Sequence, residues 1–384
     1  MDFAYSPEEE AFRQEVRAFL KQELREPAEG EDAWEVRRAF IKKLAAKGWL
    51  TLAWPKEWGG QGASHMMQLA YNEAVAYQEA PANDIGSDRV GPTIMLYGTE
   101  EQKRRYLPPI IAGEAVWCQG FSEPGAGSDL ASLEMRAVED GDEFVINGSK
   151  IWTSFAHKAD AIILLARTDP DAPKHRGISY FLVDMDTPGI TVRPLVDMLG
   201  RHQFNEVFFE DVRVSRDTLL GEMNRGWYIA TTTLDFERSG IQRVIGSMRT
   251  YDMLADYARQ TKRNGSPLAE HPLVRHKLAD LKIEFEVGRL LSYRVAWMQS
   301  QGLIPNYEAS VSKMYGSELA QRLANAGVRI IGLGGQLAPG SPWAPLAGRF
   351  ETLYIAAAAL TVAAGTSEIQ RNIIASRGLG LPRG

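Results

Sequence analysis

The sequence predicts an α+β protein in three parts: helices, then a strand-rich middle, then helices again. Three observations carry that expectation. From Ser6 to about Gly113 apolar residues recur at helical spacing. From about Val116 to Gly221 they gather instead into short runs separated by Gly, Asp, Asn and Pro. After Gly226 the helical period returns and persists to about Arg377. The expected divisions are an N-terminal helical domain over 1–115, a middle β-domain over 116–221 and a C-terminal helical domain over 222–384.

Each part has its own signals. Ser6-Pro7-Glu8-Glu9 reads as a capping box, followed by Phe12, Val16 and Phe19/Leu20 on one helical face. Thr99-Glu100-Glu101-Gln102 is a second capping box, opening a helix toward Ile111. Trp54-Pro55 to Gly62 reads as a Gly-rich loop. In the middle part, residues 144–146, 162–165, 180–183 and 207–209 are the expected strands. Asp140-Gly141-Asp142 is expected to turn a hairpin, and Asn147-Gly148 carries the same signal.

Composition narrows the function classes. The chain has 384 residues, 45% hydrophobic and 24% charged, the balance of a soluble protein with room for a large core. A formal net charge of −6 gives no reason to expect nucleic acid, which needs a basic surface. The single cysteine, Cys118, excludes an intramolecular disulfide and fits a reducing cytosol. The apolar stretches fall well short of the ~20 residues that span a bilayer, and Met1–Ser6 lacks a basic, apolar signal. The expected location is cytoplasmic, without membrane insertion. The six histidines suggest no metal site; His271 and His276 are five apart, not the four that would share a helix face.

Four segments carry candidate chemistry. Ser122-Glu123-Pro124-Gly125-Ala126-Gly127-Ser128-Asp129 has two glycines that allow close backbone approach, so its N–H groups suit an anion or a polar ring edge; it also fits an ordinary turn. It is neither a P-loop nor a dinucleotide fingerprint. In Asn147–Ser154, Trp152 followed by Thr153 and Ser154 would set a flat apolar face beside hydroxyls, although a sheet tryptophan would look the same. Leu234-Asp235-Phe236-Glu237-Arg238 lies in a helical stretch where an acid beside an apolar cavity would be a base; a solvated face is the plainer reading. In Ala364–Arg371, Thr366 reads as an N-cap, whose helix start suits a phosphate.

Together and in this order, these segments resemble the acyl-CoA dehydrogenase family. The resemblance runs end to end. Its markers are Trp54–Gly60, Tyr97–Lys103, Phe121–Asp129, Gly148–Ser154, Asp235–Arg238 and Gly365–Arg371. It implies an N-terminal helical domain, a β-barrel-like middle domain and a C-terminal four-helix bundle. It also implies FAD between the middle domain and the bundle, completed by a neighbouring subunit. By position, Phe121, Ser122, Gly127 and Ser128 match the loop meeting the flavin and the thioester arm. Trp152 matches the indole packed on the flavin, and Ser154 the hydroxyl near its N5. Thr366 and Glu368 match positions near the FAD phosphates and adenosine. Ser128, Asp235, Arg238 and Ala364 match positions along the substrate.

The implied reaction is α,β-dehydrogenation of an acyl-CoA thioester to the trans-2-enoyl-CoA. A carboxylate takes the α proton and the β hydrogen passes as hydride to FAD N5. Most members carry that carboxylate immediately before Gly-Thr-Ser, where this chain has Ala364. A minority carry it before an arginine on another helix, which here is Glu237 before Arg238. The loss at one position and the acid at the other fit one relocated base. Two further positions depart from the family: Thr261 and Asn264 stand where an Arg and a Phe usually meet FAD across the dimer, and the Gln-x-x-Gly-Gly segment is altered around Arg329–Gln336. Such changes resemble bacterial paralogues, some acting on bulky or steroid-derived chains and some as hetero-oligomers in which not every subunit binds FAD. The implied partners are acyl-CoA, an electron-transferring flavoprotein as acceptor, and further subunits in a homo-oligomer (dimer or tetramer) or a hetero-oligomer. The alternative role is a non-catalytic partner subunit.

Overall fold

The computed structural model describes residues 4–28, 30–82, 84–236 and 240–382. In chain order the elements are α1 (Pro7–Glu23), α2 (Ala33–Ala46), α3 (His65–Tyr77), α4 (Gly91–Tyr97), α5 (Glu100–Ile111), β1 (Trp117–Gly120), β2 (Arg136–Asp140) and β3 (Glu143–Lys150). They continue with β4 (Ala161–Arg167), β5 (Ile178–Asp184), β6 (Ile190–Val196), β7 (His202–Ser215), α6 (Gly226–Phe236), α7 (Ile241–Gln260), β8 (Lys262–Arg263) and β9 (Ser266–Pro267). Last come α8 (Pro272–Ser300), α9 (Tyr307–Ile331), α10 (Arg349–Leu360) and α11 (Ser367–Ile373). Among the described residues no helix is long and apolar enough to cross a membrane.

These elements form two compact units, from the described parts of 26–63 and 81–237 and of 1–25, 64–80 and 238–384. The first holds a curled seven-stranded sheet in the order β1-β4-β2-β3-β7-β6, with β5 paired to β4. Successive side chains on a strand point to opposite faces. The centres of β4 (162–165) and β5 (180–183) are therefore unbroken apolar runs, because both of their faces are covered. Ile162, Leu164, Phe181 and Val183 join Phe144, Val207 and Phe209 in one core. Ile163, Leu165, Tyr180 and Leu182 join Trp54, Tyr106, Phe121 and Ile229 in another.

Both capping boxes form. Ser6 Oγ accepts from the Glu9 N–H at 3.2 Å while Glu9 Oε2 accepts from the Ser6 N–H at 2.8 Å; Thr99 and Gln102 repeat the arrangement. Asp140-Gly141-Asp142 turns β2 antiparallel into β3. Asn147-Gly148 does not turn, contrary to its sequence signal. Both residues stay inside β3, at an irregularity in its register with β7 between Ile146 and Gly148. Gly148 takes φ 142°, and a Cβ there would come within 3.0 Å of Met135. Asn147 is spent across the ladder, its Oδ1 accepting from the Asp211 N–H at 2.9 Å. Tertiary pairing overrides the local turn preference. Asn264-Gly265 does make the hairpin turn, joining β8 and β9 with φ of 51° and 86°, the two positive values that a type I′ turn requires.

The other unit packs α1 and α3 against the bundle of α7–α10 around Leu69, Val244, Leu254, Phe285, Leu319 and Phe350. Gly327 lets α9 and α10 close together: a Cβ there would overlap the Phe350 ring at 2.0 Å. Glu73 of α3, buried, accepts from Tyr5 Oη at 2.7 Å, from Arg13 Nη1 at 3.3 Å and from the Tyr293 hydroxyl. That polar knot ties α1, α3 and α8 together with the buried carboxylate fully partnered, as burial demands.

Candidate active site

Two loops of the sheet-bearing unit bring half of the sequence-selected residues together. The first leaves β1 at Phe121. Phe121 is buried edge-on against Tyr180, ring centroids 5.8 Å apart. Ser122 follows, half-buried, and Glu123 and Ala126 pair backbone to backbone at 2.9 and 3.0 Å to close the turn. Gly127 and Ser128 sit exposed beyond it. A Cβ on Gly125 or Gly127 would meet nothing within 4 Å, so open space lies against the loop backbone.

A buried ion pair anchors this loop. Lys150, fully buried at the end of β3, donates from Nζ to Glu123 Oε1 at 2.7 Å and to the Phe121 carbonyl at 3.2 Å. Glu123 also accepts from the Glu134 N–H at 2.6 Å and the Met135 N–H at 3.0 Å. Burial pulls the Lys150 ammonium down to about 8, against the pull of Glu123. With its donors and acceptors matched, the pair fixes the loop as a rigid piece.

The second loop, Ile151–Phe155, runs beside the first: the Ile151 N–H donates to the Ser122 carbonyl at 2.9 Å. Trp152 and Phe155 both take left-handed backbone, φ 60° and 57°. Such conformations cost of order 1–3 kcal/mol in bulky residues and persist only when their surroundings enforce them. The enforcer here is Asn205 of β7, fully buried. Its backbone carbonyl accepts from the Thr153 N–H at 3.0 Å and its side-chain Nδ2 donates to the Thr153 carbonyl at 2.9 Å. The loop therefore presents Trp152 with 60% of its surface exposed and Ser154 half-buried. Thr153 Oγ1 is buried and finds no hydrogen-bond partner among the described residues.

Asp235 lies in the last turn of α6. Glu237 and Arg238 lie outside the described residues. One turn before the end of α6, Thr233 is buried with its hydroxyl 3.0 Å from that of Thr93.

The remaining sequence-selected residues sit in the other unit, at the turn between α10 and α11. Ala364 and Gly365 take φ 56° and 84°. Lys313, buried in α9, draws in the Leu360 and Gly365 carbonyls at 3.2 and 2.7 Å. Gln370 Nε2 takes the Ala364 carbonyl at 3.1 Å. Thr366 caps α11 as expected, its Oγ1 accepting from the Ile369 N–H at 3.2 Å. Glu368 is exposed beside that cap, and hydrogen bonds from its own N–H and from Thr366 hold its carboxyl below the usual range. Ser367 Oγ and Gln370 Oε1 are buried without a hydrogen-bond partner among the described residues.

Asn264 belongs to a cleft of about 1200 Å³ in the same unit. Arg263, His271, Lys277, Arg322 and Arg329 also line it. Its cations suit a phosphate-bearing ligand.

Lys150, Glu123, Asn205 and Lys313 hold the site's loops and carry no motif signal of their own. Lys150 and Glu123 lie inside the segments Asn147–Ser154 and Ser122–Asp129, where the sequence alone marks them only as polar. Asn205 and Lys313 act across long sequence gaps, and only the fold brings them to the loops they hold.

Comparison with known proteins agrees with this architecture. The sequence profiles of the acyl-CoA dehydrogenase N-terminal, middle and C-terminal domains match residues 6–114, 118–212 and 224–379. The acyl-CoA dehydrogenase IpdE1 of Mycobacterium tuberculosis is 39% identical over 97% of this chain and 98% of its own. The Tcur3481-Tcur3483 steroid ACAD superposes with a TM-score of 0.92 at 38% identity, covering 100% of both chains. The ChsE4-ChsE5 complex from Mycobacterium tuberculosis gives 0.91 at 38% identity, again over 100% of both. Three profiles in order, near-complete coverage and one shared fold leave a single assignment: this chain belongs to the acyl-CoA dehydrogenase family, FAD-dependent oxidoreductases that act on acyl-CoA thioesters.

Proposed function

We propose that the protein removes the α proton of an acyl-CoA with Glu237 and thereby commits the thioester to α,β-dehydrogenation. The observation that carries this reading is the pairing of an acid at Glu237 with Ala364, a side chain that can accept no proton. The α C–H of a thioester is a very weak acid, so a carboxylate can take it only where water is excluded and the developing enolate oxygen meets fixed donors. The Ala364 backbone supports such a donor, because Gln370 and Lys313 hold the Ala364 and Gly365 carbonyls in a fixed turn. Asp235, Arg238 and Ser128 are assigned to the CoA arm.

The residues present suit a flavin. Open space beyond Gly125 and Gly127 leaves room at the first loop, and the buried Thr153 hydroxyl has a hydrogen bond still to make. Phe121, Ser122, Gly127, Ser128, Trp152 and Ser154 would hold its ring system, with Thr366 and Glu368 toward its phosphates and adenosine. FAD, when bound, supplies the hydride acceptor. The cleft at Asn264 would receive the phosphate-bearing end of an FAD held by a second subunit, with Arg263 and Arg329 replacing the family's missing arginine. The electron acceptor proposed for the protein is an electron-transferring flavoprotein. Likeness to a protein named a steroid ACAD favours a bulky acyl group.

Thr261 and Asn264 favour a second reading, a partner subunit of a hetero-oligomer, as does similarity to the ChsE4-ChsE5 complex. Purifying the protein alone separates the two. The enzyme reading expects a yellow protein whose flavin bleaches when acyl-CoA is added without oxygen. The partner reading expects a colourless protein that gains flavin only with a co-expressed relative.

A further inference from the structure

Two histidines outside the proposed catalytic groups converge on the Asn205 side chain. His157 Nδ1 lies 3.2 Å from Asn205 Oδ1 and His202 Nε2 lies 2.7 Å from the same atom. The rings stack with centroids 3.9 Å apart and planes 23° from parallel. The chemistry of the network fixes who donates. Asn205 Nδ2 is committed to the Thr153 carbonyl, so Oδ1 is the acceptor and both ring nitrogens must carry hydrogen. That assigns the Nδ1–H tautomer to His157 and the Nε2–H tautomer to His202. With both donors in place, a flipped amide would set Nδ2 against two N–H groups and lose the Thr153 bond. A buried amide left with such mismatches is costly.

We propose that His157 and His202 are positioning residues that together lock the Asn205 amide, and through it the Trp152–Ser154 turn, in the conformation that receives the flavin. The link to the flavin rests on the function proposed above; the lock itself does not. The pattern gives each residue a distinct part. Asn205 grips Thr153 at both its N–H and its carbonyl, and the Phe155 N–H donates to the Gln203 carbonyl at 2.9 Å, so β7 grips the turn at two places. The histidines select which way round the Asn205 amide sits. They also make the lock sensitive to acid. A second proton on His157 leaves its donor intact but places a cation against the stacked His202 ring. Burial, and then the neighbouring His202, hold His157 below the usual histidine range, and Lys158 acts in the same direction. Charged groups on the flanking segments are the Asp197–Arg201 ion pair preceding His202, Glu206 after Asn205 on β7 with its register partner Arg193 of β6, and Arg37 of α2 over the Phe155 ring.

The test uses the full chain and two paired variants. His157→Phe/His202→Phe keeps two stacked rings but removes both donors. His157→Gln/His202→Gln keeps donors that do not titrate. Two quantities are read: amide hydrogen exchange of the peptide spanning residues 150–156 in flavin-free protein, and the FAD dissociation constant from flavin-fluorescence quenching. For the Phe pair we expect exchange faster, and FAD binding weaker, by about tenfold each at neutral pH. The Gln pair should stay within about threefold of the parent and lose the parent's weakening of FAD binding between about pH 7 and pH 5.5. Unchanged exchange in the Phe pair overturns the lock. Faster exchange with unchanged FAD affinity overturns its link to the flavin. An acid response surviving in the Gln pair overturns the titrating role. A parent that takes up no FAD sinks the flavin reading, while exchange still judges the lock.

Discussion

Lys150 Nζ sits 2.7 Å from Glu123 Oε1, with the lysine side chain fully buried and 8% of the glutamate side chain exposed. Neither charge can turn to water, so removing one strands the other. Lys150→Met is expected to destabilise the protein by about 3–5 kcal/mol. Urea denaturation checks this, and Lys150→Met/Glu123→Gln should recover more than half of the loss. If the double variant is as unstable as the single one, the penalty is not an unpaired Glu123.

Ala364 occupies left-handed backbone without being glycine. Ala364→Gly should therefore gain up to about 1 kcal/mol, seen as a small rise in melting temperature. A chemical test shares the position. If the base has moved to Glu237, then Glu237→Gln/Ala364→Glu should regain part of the activity that Glu237→Gln lacks. Steady-state assay of the two variants side by side decides it, and equal inactivity would argue against two interchangeable base positions.

His157 gives acid stability a sign. Its folded form prefers the neutral ring, so below the ordinary histidine value of about 6.5 the unfolded chain binds the extra proton more readily. Its contribution to stability is thus present above that pH and is lost as pH falls below it. Melting curves at pH 7.5 and pH 5.5 should show a smaller drop for His157→Gln than for the parent. An equal drop would assign the acid sensitivity to other groups.

Cys118 is fully buried in the sheet core, and burial pushes its thiol well above the usual range. A thiol reagent should leave it untouched in the native protein and titrate one equivalent in denaturant. Rapid native labelling would contradict its placement.

The fold was largely legible because its signals are local. Ser6 and Thr99 cap their helices through neighbours three residues away, and β4 and β5 declare their burial by unbroken apolar runs. Asn147-Gly148 misled because its turn preference is weaker than the ladder between β3 and β7, while the same dipeptide at 264–265 lies free of such pairing and turns. In the candidate site the glycines and Trp152 stood out in the sequence. Their supports did not, because Asn205 reaches Thr153 across 52 residues and Lys313 reaches Gly365 across 52. Nothing in local spacing announces a side chain that acts on another segment's backbone.

Proton abstraction by Glu237 is tested most directly by anaerobic titration of the parent and of Glu237→Gln with a panel of acyl-CoA thioesters, followed at the flavin absorbance band. The account predicts that both proteins are yellow, that the parent bleaches, and that the variant bleaches at least about 10²-fold more slowly. A variant that keeps its flavin and bleaches at the parent's rate would remove Glu237 from the reaction.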